Sequence, residues 1–346
     1  MRIRGIGRVQ QAARWIQNKF TSRALILLYH RVVELPFGDP YGLCVAPQHF
    51  AEHLEILHSY WRPLRLLQLV QALRAGNLPH RAVVVTFDDG YADNLYNVKP
   101  LLERYDIPAT TFIATGYIGG EREFWWDELE RLFLQPGTLP ESLCLNVNGS
   151  SYQWALGEAA YYSEHDSRRH RCWKVGQKDN PGPRQHLHRS LYQLLHSLPE
   201  GERRKILDEL LAWAGVEPRG RPTHRTLLPD EVVHIAEGGL VEVGAHTVTH
   251  PVLATLPVSA QRDEIRRSKA SLEETLDHSV TSFSYPHGSY TLETIALLRE
   301  AGFTQACSSI ADAVWQSTDG FQLPRQVVKD WDGEAFASRL EVWFSG

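Results

Sequence analysis

Short apolar segments alternate with longer amphipathic segments along most of this chain of 346 residues. The apolar segments are rich in β-branched residues and predict strands at 24–29, 82–87, 108–114, 240–244, 281–285, 303–308 and 325–328. Helical patterns follow at 47–59, 66–75, 95–104, 127–134, 229–238, 258–276 and 291–301. Such alternation favours an α/β fold with parallel strands and helices packed outside them. A barrel of this kind carries its chemistry at the carboxyl ends of its strands.

A polar stretch at 136–224 interrupts this alternation. It contains Asn180-Pro181-Gly182-Pro183 and a basic, histidine-rich run, and helical patterns follow at 184–197 and 201–214. We interpret it as a mostly helical insertion into a barrel that extends over 24–346. Its histidines are expected to be mainly solvated or to belong to a lid over the substrate; they are His165, His170, His186, His188 and His196.

The first 23 residues carry six basic side chains and no acidic one. Their apolar residues fall largely on one helical stripe, which predicts a basic amphipathic helix over 1–23. Two interpretations remain open. The helix packs on its own domain, or it lies on an anionic membrane surface.

Composition excludes several classes of protein. The net charge of −5 gives no global basic field that would attract nucleic acid. The four cysteines are far apart and form no Cys-x-x-Cys pair, which argues against a zinc ribbon or a redox motif. No apolar run approaches the ~18 residues of a membrane span, and none near the start resembles a signal-peptide core. The expected location is the cytoplasm, with a peripheral position at the inner face of the membrane as the alternative.

Two adjacent carboxylates, Asp88 and Asp89, come directly after the predicted strand 82–87. Burying an unpaired carboxylate costs several kcal/mol, so such groups are usually paired or bound to a metal. Gly90 provides the conformational freedom that lets both acids approach one site. The alternative is a strand-ending turn with two solvated acids.

Two histidines, His246 and His250, follow another apolar segment with a spacing of four. In a helical turn this spacing places both rings on one face, within reach of one metal at about 2.0–2.1 Å. Zinc proteases with this spacing carry a Glu beside the first histidine as general base, whereas this chain has Thr247 there. A metal site would therefore need Asp88 and Asp89 as its ligand and its base. The alternative is two unrelated surface histidines.

Taken together, these segments resemble the polysaccharide deacetylases of carbohydrate esterase family 4, the NodB-homology family. The motifs that carry the resemblance are Thr86-Phe87-Asp88-Asp89-Gly90, His246-Thr247-Val248-Thr249-His250-Pro251 and Ser284-Tyr285-Pro286-His287-Gly288, with support from Leu28-Tyr29-His30-Arg31-Val32 and Phe124-Trp125-Trp126-Asp127-Glu128-Leu129. The resemblance covers roughly 24–135 and 225–340. It implies a distorted TIM-like (β/α)7 barrel.

The resemblance also implies the roles of site residues. A divalent metal, zinc first with cobalt or nickel as alternatives, would be held by Asp89, His246 and His250. Asp88 would be the general base, although sequence spacing alone would allow the two aspartates to exchange roles. Backbone N–H groups of the turn Tyr285-Pro286-His287-Gly288 would stabilise the oxyanion.

The chain departs from the family pattern in two places. Many members have an Arg close to the proline motif that orients the base; this chain has none there, and Arg325 is the expected substitute. Asp330-Trp331 resembles a pair that supports this Arg and lines the sugar groove, although Trp331 could equally be a packed aromatic.

A second departure concerns the general acid. Many members carry a late histidine, and this chain has none after His287. His30 ends the first predicted strand, and the first and last strands of a closed barrel are neighbours. We therefore expect His30 to be the general acid, with His287 as the alternative.

The predicted function is metal-dependent removal of N-acetyl or other N-acyl groups from amino sugars. The substrate would be a polysaccharide or its nucleotide-linked or lipid-linked precursor in surface-polysaccharide biosynthesis. An inactive carbohydrate-binding barrel and a glycosidase are the alternatives. A glycosidase needs two carboxylates roughly 5–9.5 Å apart across the bond, which suits adjacent aspartates backed by two histidines less well.

Overall fold

The computed structural model describes residues 23–345. Its main sheet has nine strands, which are β1 Arg23–Tyr29, β2 Arg62–Pro63, β3 Ala82–Phe87, β4 Ala109–Ile113, β5 Val241–Ala245, β6 Ser282–Ser284, β7 Gln305–Cys307, β8 Val314–Trp315 and β9 Gln326–Val327. The order is β7-β6-β5-β4-β3-β1-β8, with β9 also on β1 and β2 on β3. All these pairs are parallel except β1 with β8.

The segment that ends in β9 closes the sheet into a barrel. A parallel bridge joins Cys307 at the end of β7 to Leu323, and the Ser308 N–H donates to the Leu323 carbonyl over 2.8 Å. Three residues later, Gln326 pairs with Leu27 of β1. Seven parallel segments thus surround the axis, and the chain is a distorted (β/α)7 barrel, as predicted.

Eleven α-helices lie in the described part of the chain: α1 Pro47–Tyr60, α2 Leu66–Ala75, α3 Lys99–Tyr105, α4 Trp125–Phe133, α5 Glu164–His170, α6 Pro183–His196, α7 Glu200–Ala214, α8 Pro229–Ala236, α9 Val258–Leu276, α10 Leu292–Glu300 and α11 Gly333–Ser345. Over residues 23–345 no helix has the length and apolar character needed to cross a membrane. Short strand pairs outside the barrel are Arg31–Val32 with Cys44–Val45, Gly137–Thr138 with Tyr161–Tyr162, and Ser142–Val147 with Ser150–Ala155.

The barrel strands are apolar because both of their faces are covered. Every residue of β1 and of β3 is buried, as expected for parallel strands with helices on one side and a packed barrel interior on the other. Alternate residues contribute to different clusters: Leu25 packs with the outer helices, and Ile26 packs with Phe112 and Leu323. Polar groups that follow such strands are therefore held at a rigid rim.

The stretch 136–224 forms a separate layer beside the barrel. Its hairpin and helices α6 and α7 share a second apolar core with α4, in which Trp125 and Phe133 pack with Leu187, Leu191 and Leu207. The predicted helix at 1–23 falls outside the described residues except for Arg23, which is the first residue of β1. All four cysteines are free thiols.

Candidate active site

A cavity of about 290 Å³ opens at the carboxyl ends of the barrel strands. Asp88 and Asp89 enter it from the end of β3, His246 and His250 from beyond β5, and His30 from the end of β1. The structure thus brings together all four residues of the two principal sequence motifs.

Asp89, His246 and His250 form a compact, buried cluster. The Asp89 Oδ1 atom lies 3.4 Å from Nε2 of His250 and 3.6 Å from Nε2 of His246. Among the described residues, this oxygen and the Nδ1 atom of His250 have no hydrogen-bond partner. Burial and the adjacent Asp88 raise the pKa of Asp89 well above its ordinary value. A buried oxygen without a partner beside two imidazoles is the environment that a divalent cation would complete.

The donor set also fits such a cation. One ligand atom from each of the three residues lies within 4.8 Å of the others. One carboxylate and two imidazoles, with a position left for water, are typical of catalytic rather than structural zinc sites. The Nδ1 atom of His246 is engaged with the Ser284 carbonyl at 2.8 Å, which directs Nε2 towards Asp89 and fixes the ring orientation.

The segment from His246 to His250 is not the helical turn that the spacing suggested. Thr247 and His250 have positive φ angles of 65° and 56°, values that non-glycine residues seldom adopt. The His250 N–H donates to the Thr247 hydroxyl over 3.1 Å. This irregular turn still brings the two ring centroids to 4.8 Å.

Glu264 of α9 stabilises this turn. One carboxylate oxygen accepts the N–H groups of Val248 at 2.7 Å and Thr249 at 2.9 Å, and the other accepts the Thr249 hydroxyl at 2.7 Å. The carboxylate thus satisfies three donors between the two histidines. No motif in the sequence pointed to Glu264, because it lies on α9, outside the motif that contains His246 and His250.

Asp88 has a different environment from its neighbour. Nη1 and Nη2 of Arg325 donate to its two oxygens over 2.8 and 2.7 Å, and the Ser284 hydroxyl donates over 3.1 Å. Burial alone would raise the pKa of Asp88, but the charges of Arg325 and His246 lower it to about 2. Asp88 is therefore ionised and fixed, with both oxygens in use. This favours Asp89 as the ligand.

A sequence-family model described as polysaccharide deacetylase matches residues 75–137 and 208–306. The two blocks contain Asp88, Asp89, His246 and His250. The chain belongs to the polysaccharide deacetylase family.

Two curated relatives share part of this deacetylase domain. YxkH of Bacillus subtilis, by name a polysaccharide deacetylase, is 28% identical over 151 residues, covering 42% of this chain and 52% of the relative. The poly-beta-1,6-N-acetyl-D-glucosamine N-deacetylase of Staphylococcus aureus is 32% identical over 110 residues, covering 28% and 38%. The chain thus spans about half or less of the length of these relatives.

Solved structures share the fold over nearly the whole chain. The deacetylase PplD of Streptococcus pyogenes, in complex with acetate, superposes with a TM-score of 0.57 at 16% identity, covering 92% of this chain and 99% of that one. IcaB of Ammonifex degensii gives a TM-score of 0.57 at 18% identity, covering 94% and 98%. These similarities support the deacetylase barrel.

The turn expected to stabilise the oxyanion follows directly after β6. The Tyr285 side chain is buried and its hydroxyl donates to the Phe321 carbonyl, while its N–H donates to the Cys307 carbonyl over 3.0 Å. Pro286 has no N–H. His287 has a φ of 56°. Of the residues in this turn, His287 is the one that lines the cavity.

Two further histidines, His30 and His287, border the cavity on different sides. The His287 ring is exposed and its centroid lies 4.6 Å from that of His250. His30 lies nearer Asp88 and Arg325, and burial lowers the pKa of its ring to about 4 against the attraction of Asp88. Both candidate acids thus border the same cavity.

Asp330 and Trp331 do not lie where the family pattern suggested. Asp330 accepts the Ala46 N–H at 2.8 Å and contacts Nδ1 of His49 at 2.7 Å, at the start of α1, where the helix dipole favours an anion. Trp331 packs against Trp343 at 5.8 Å between centroids. Neither lines the cavity. Asp330 is thus engaged at the start of α1, and Arg325 is held by other groups.

The Arg325 side chain is held by three groups other than Asp330, which belong to Ser284, Thr86 and Ser308. The Arg325 guanidinium donates to the Ser284 hydroxyl at 2.8 Å, the Thr86 hydroxyl at 3.2 Å and the Ser308 carbonyl at 2.8 Å. Arg325 is fully buried. It therefore occupies the position that sequence analysis assigned to the missing arginine.

The insertion and a loop near the start of the chain contribute residues that the motifs did not reveal. Tyr41, Val175 and Tyr192 line the cavity. His188, expected to be solvated, is fully buried, and its Nε2 lies 2.8 Å from the Tyr41 hydroxyl. Tertiary packing of the insertion onto the barrel places these groups, which a local sequence pattern does not encode.

Proposed function

We propose that this chain is a metal-dependent N-deacetylase of amino sugars. The observation that carries the proposal is the pair of unlike neighbours at the end of β3. Asp88 is fully hydrogen-bonded and ionised, and Asp89 faces two histidines with a free buried oxygen. Such a pair supplies a base and a ligand at one position.

Asp89, His246 and His250 would hold the metal, with zinc favoured and cobalt or nickel as alternatives. When bound, such an ion lowers the pKa of water towards about 7 and polarises an amide carbonyl. The buried walls around the cluster exclude bulk water, which strengthens every electrostatic interaction within it.

Asp88 would accept the proton of the attacking water. Its low pKa makes it a weak base, but the bidentate pair with Arg325 keeps it ionised at every working pH and holds its oxygens in place. The backbone N–H of His287 would donate to the oxyanion as the amide carbonyl becomes tetrahedral.

His30 would protonate the departing amine. Its ring is neutral near pH 7 because burial lowers its pKa to about 4, so it must first receive a proton that the attacking water releases. Asp88 exerts the main attraction on a His30 cation, which supports a transfer between these two groups. His287 is the alternative donor.

The proposed substrate is an N-acylated amino sugar in a glycan or in a nucleotide-linked or lipid-linked precursor. The Staphylococcus aureus relative is named for poly-beta-1,6-N-acetyl-D-glucosamine, which supports N-acetylglucosamine as the sugar. A cytoplasmic location, peripheral to the membrane through residues 1–23, would suit a linked precursor.

An acetate-release screen tests this function. Nucleotide-linked, lipid-linked and oligomeric N-acetylglucosamine are each incubated with the protein, with and without a chelator. Acetate that appears only in the absence of chelator is the expected result. Sugar binding without acetate would instead indicate an inactive carbohydrate-binding barrel, and new reducing ends would indicate a glycosidase.

A further inference from the structure

A row of aromatic rings forms one side of the cavity mouth. It runs from Tyr41 through Tyr192, His196 and His287 to His250. Successive ring centroids lie 5.5, 6.1, 4.7 and 4.6 Å apart, which is the spacing of rings in contact. No passage as wide as a sugar remains between neighbouring rings. We call this row the aromatic rim.

The aromatic rim is held on both sides. The Tyr41 hydroxyl donates to the Trp126 carbonyl over 2.5 Å and contacts Nε2 of the buried His188 at 2.8 Å. The Val175 N–H donates to the Pro40 carbonyl over 2.9 Å. The insertion and the loop that carries Tyr41 are thus joined to each other and to α4. The rim is a fixed wall.

The loop that carries Tyr41 is itself rigid. The Asp39 carboxylate accepts the N–H groups of Gly42 at 2.8 Å, Leu43 at 3.1 Å and Cys44 at 3.1 Å. Lys329 donates to the Gly42 carbonyl over 3.0 Å. Three backbone donors and one acceptor are therefore satisfied within a few residues, and the position of Tyr41 is fixed.

Over the described residues, the lining contributed by β1, β7 and β9 contains no such row of rings. There the cavity is lined by Leu28, Ser309 and Val327, from or beside β1, β7 and β9. Ile310, the next residue after Ser309, is 55% exposed. We take this part of the lining, as far as residues 23–345 form it, as the side on which the remainder of a substrate leaves the cavity. The volume of about 290 Å³ lies just below the roughly 300–1,000 Å³ that small-molecule pockets span.

We infer that the enzyme deacetylates a terminal amino sugar, at a chain end or attached singly to a carrier, and does not act on internal units of a polymer. An internal unit needs room for chain on two sides, and the aromatic rim blocks one of them. The inference rests on the proposed deacetylase function and names its substrate class. Tyr192, which belongs to the rim and lines the cavity, is the residue that sets this specificity.

The test is to map which unit of a β-1,6-linked N-acetylglucosamine pentasaccharide loses its acetyl group, by tandem mass spectrometry, beside nucleotide-linked N-acetylglucosamine as a single terminal sugar. The wild-type protein should release acetate from one end of the pentasaccharide, from the single sugar, or from both. Tyr192→Ala should raise release from internal units roughly 10-fold or more, the range in which single steric changes alter discrimination. Tyr161→Ala, which removes a 66% exposed tyrosine of the same insertion, should leave the product map unchanged.

Internal deacetylation by the wild-type protein at a rate similar to that of the end unit would overturn the inference and leave the proposed function standing. Absence of acetate from every substrate in the presence of zinc would overturn the proposed function, and the inference with it. The wild-type product map decides the question even if Tyr192→Ala does not fold.

Discussion

Adjacent residues of identical type acquire different roles because their hydrogen-bond partners differ. Asp88 uses both oxygens on Arg325, whereas Asp89 keeps one oxygen without a partner among the described residues. The sequence predicted that the two acids share a site, but it did not decide which one is the metal ligand and which one is the base. The spacing of the two acids carries no information on their contact with Arg325, which lies 236 or more positions away along the chain.

Replacing Asp88 by Asn should leave the metal bound and reduce the deacetylation rate by roughly 10²–10⁴-fold, the range for loss of a general base. The protein should also lose stability, because Arg325 would be a buried cation without a counter-charge. Metal content per folded chain and acetate release are measured together. Loss of metal in Asp88→Asn with retention in Asp89→Asn would mean that the two roles are reversed.

His30→Ala should keep the metal but slow acetamide hydrolysis by roughly 10²–10⁴-fold. An activated ester should be affected far less, because its leaving group needs no proton. Comparing both substrates in His30→Ala and in His287→Ala identifies the acid. Full amide activity in His30→Ala, with loss in His287→Ala, would assign the role to His287.

Glu264→Ala should weaken metal binding by about 10–100-fold, the usual effect of removing a group that orients metal ligands. The change frees three donors in the turn between His246 and His250. Asp263→Ala, at the exposed neighbouring position, is the matched control. Zinc titration against a competing chelator gives the affinities; equal values for the two variants would show that the turn does not need Glu264.

At the scale of elements, strong periodic patterns were predicted well and marginal ones were not. Helix α9 was predicted at its observed bounds, and all seven strands of the barrel were predicted to within two residues at either end. Helix α11 was missed, because its buried stripe consists of Phe336 and Leu340 alone. The turn at Thr247 was taken for a helix, since positive φ at a β-branched residue has no sequence signature.

Helix α8 supplies a prediction at this scale. Its Glu231 accepts hydrogen bonds from Arg225, Tyr96 and the Leu228 N–H. Burial would raise the pKa of Glu231, but these donors lower it to about 2 from 4.5. The ionised carboxylate therefore contributes stability above about pH 4.5, and this contribution is lost as the pH falls towards 2.

Glu231→Gln should lower the free energy of unfolding at pH 7 by about 1–2 kcal/mol, allowing for solvent screening. The difference from the wild type should shrink progressively between about pH 4.5 and pH 2. Asp230→Asn, in the same helical turn and exposed, should have little effect at either pH. Chemical denaturation at several pH values measures this, and a difference that stays undiminished down to about pH 2 would argue against the ion pair as its cause.

At the scale of the whole molecule, the barrel followed from alternation along the chain, but the shape of the cavity did not. Closure through Cys307 and Leu323 brings the first and last strands together, which places His30 and Arg325 at one rim. The aromatic rim, which includes Tyr41 and Tyr192, depends on how the insertion packs on α4. Contacts between segments some 150 residues apart leave no local pattern in the sequence. The insertion was therefore predicted, but its contribution to the cavity wall was not.

The central claim is that Asp89, His246 and His250 hold a metal on which deacetylation depends. The most direct measurement is zinc content together with acetate release in the wild type and in the double variant His246→Ala, His250→Ala, with exposed His278→Ala as the control. The account predicts one zinc per chain and activity in the wild type and the control, and neither in the double variant. Full zinc occupancy in a folded double variant would contradict it.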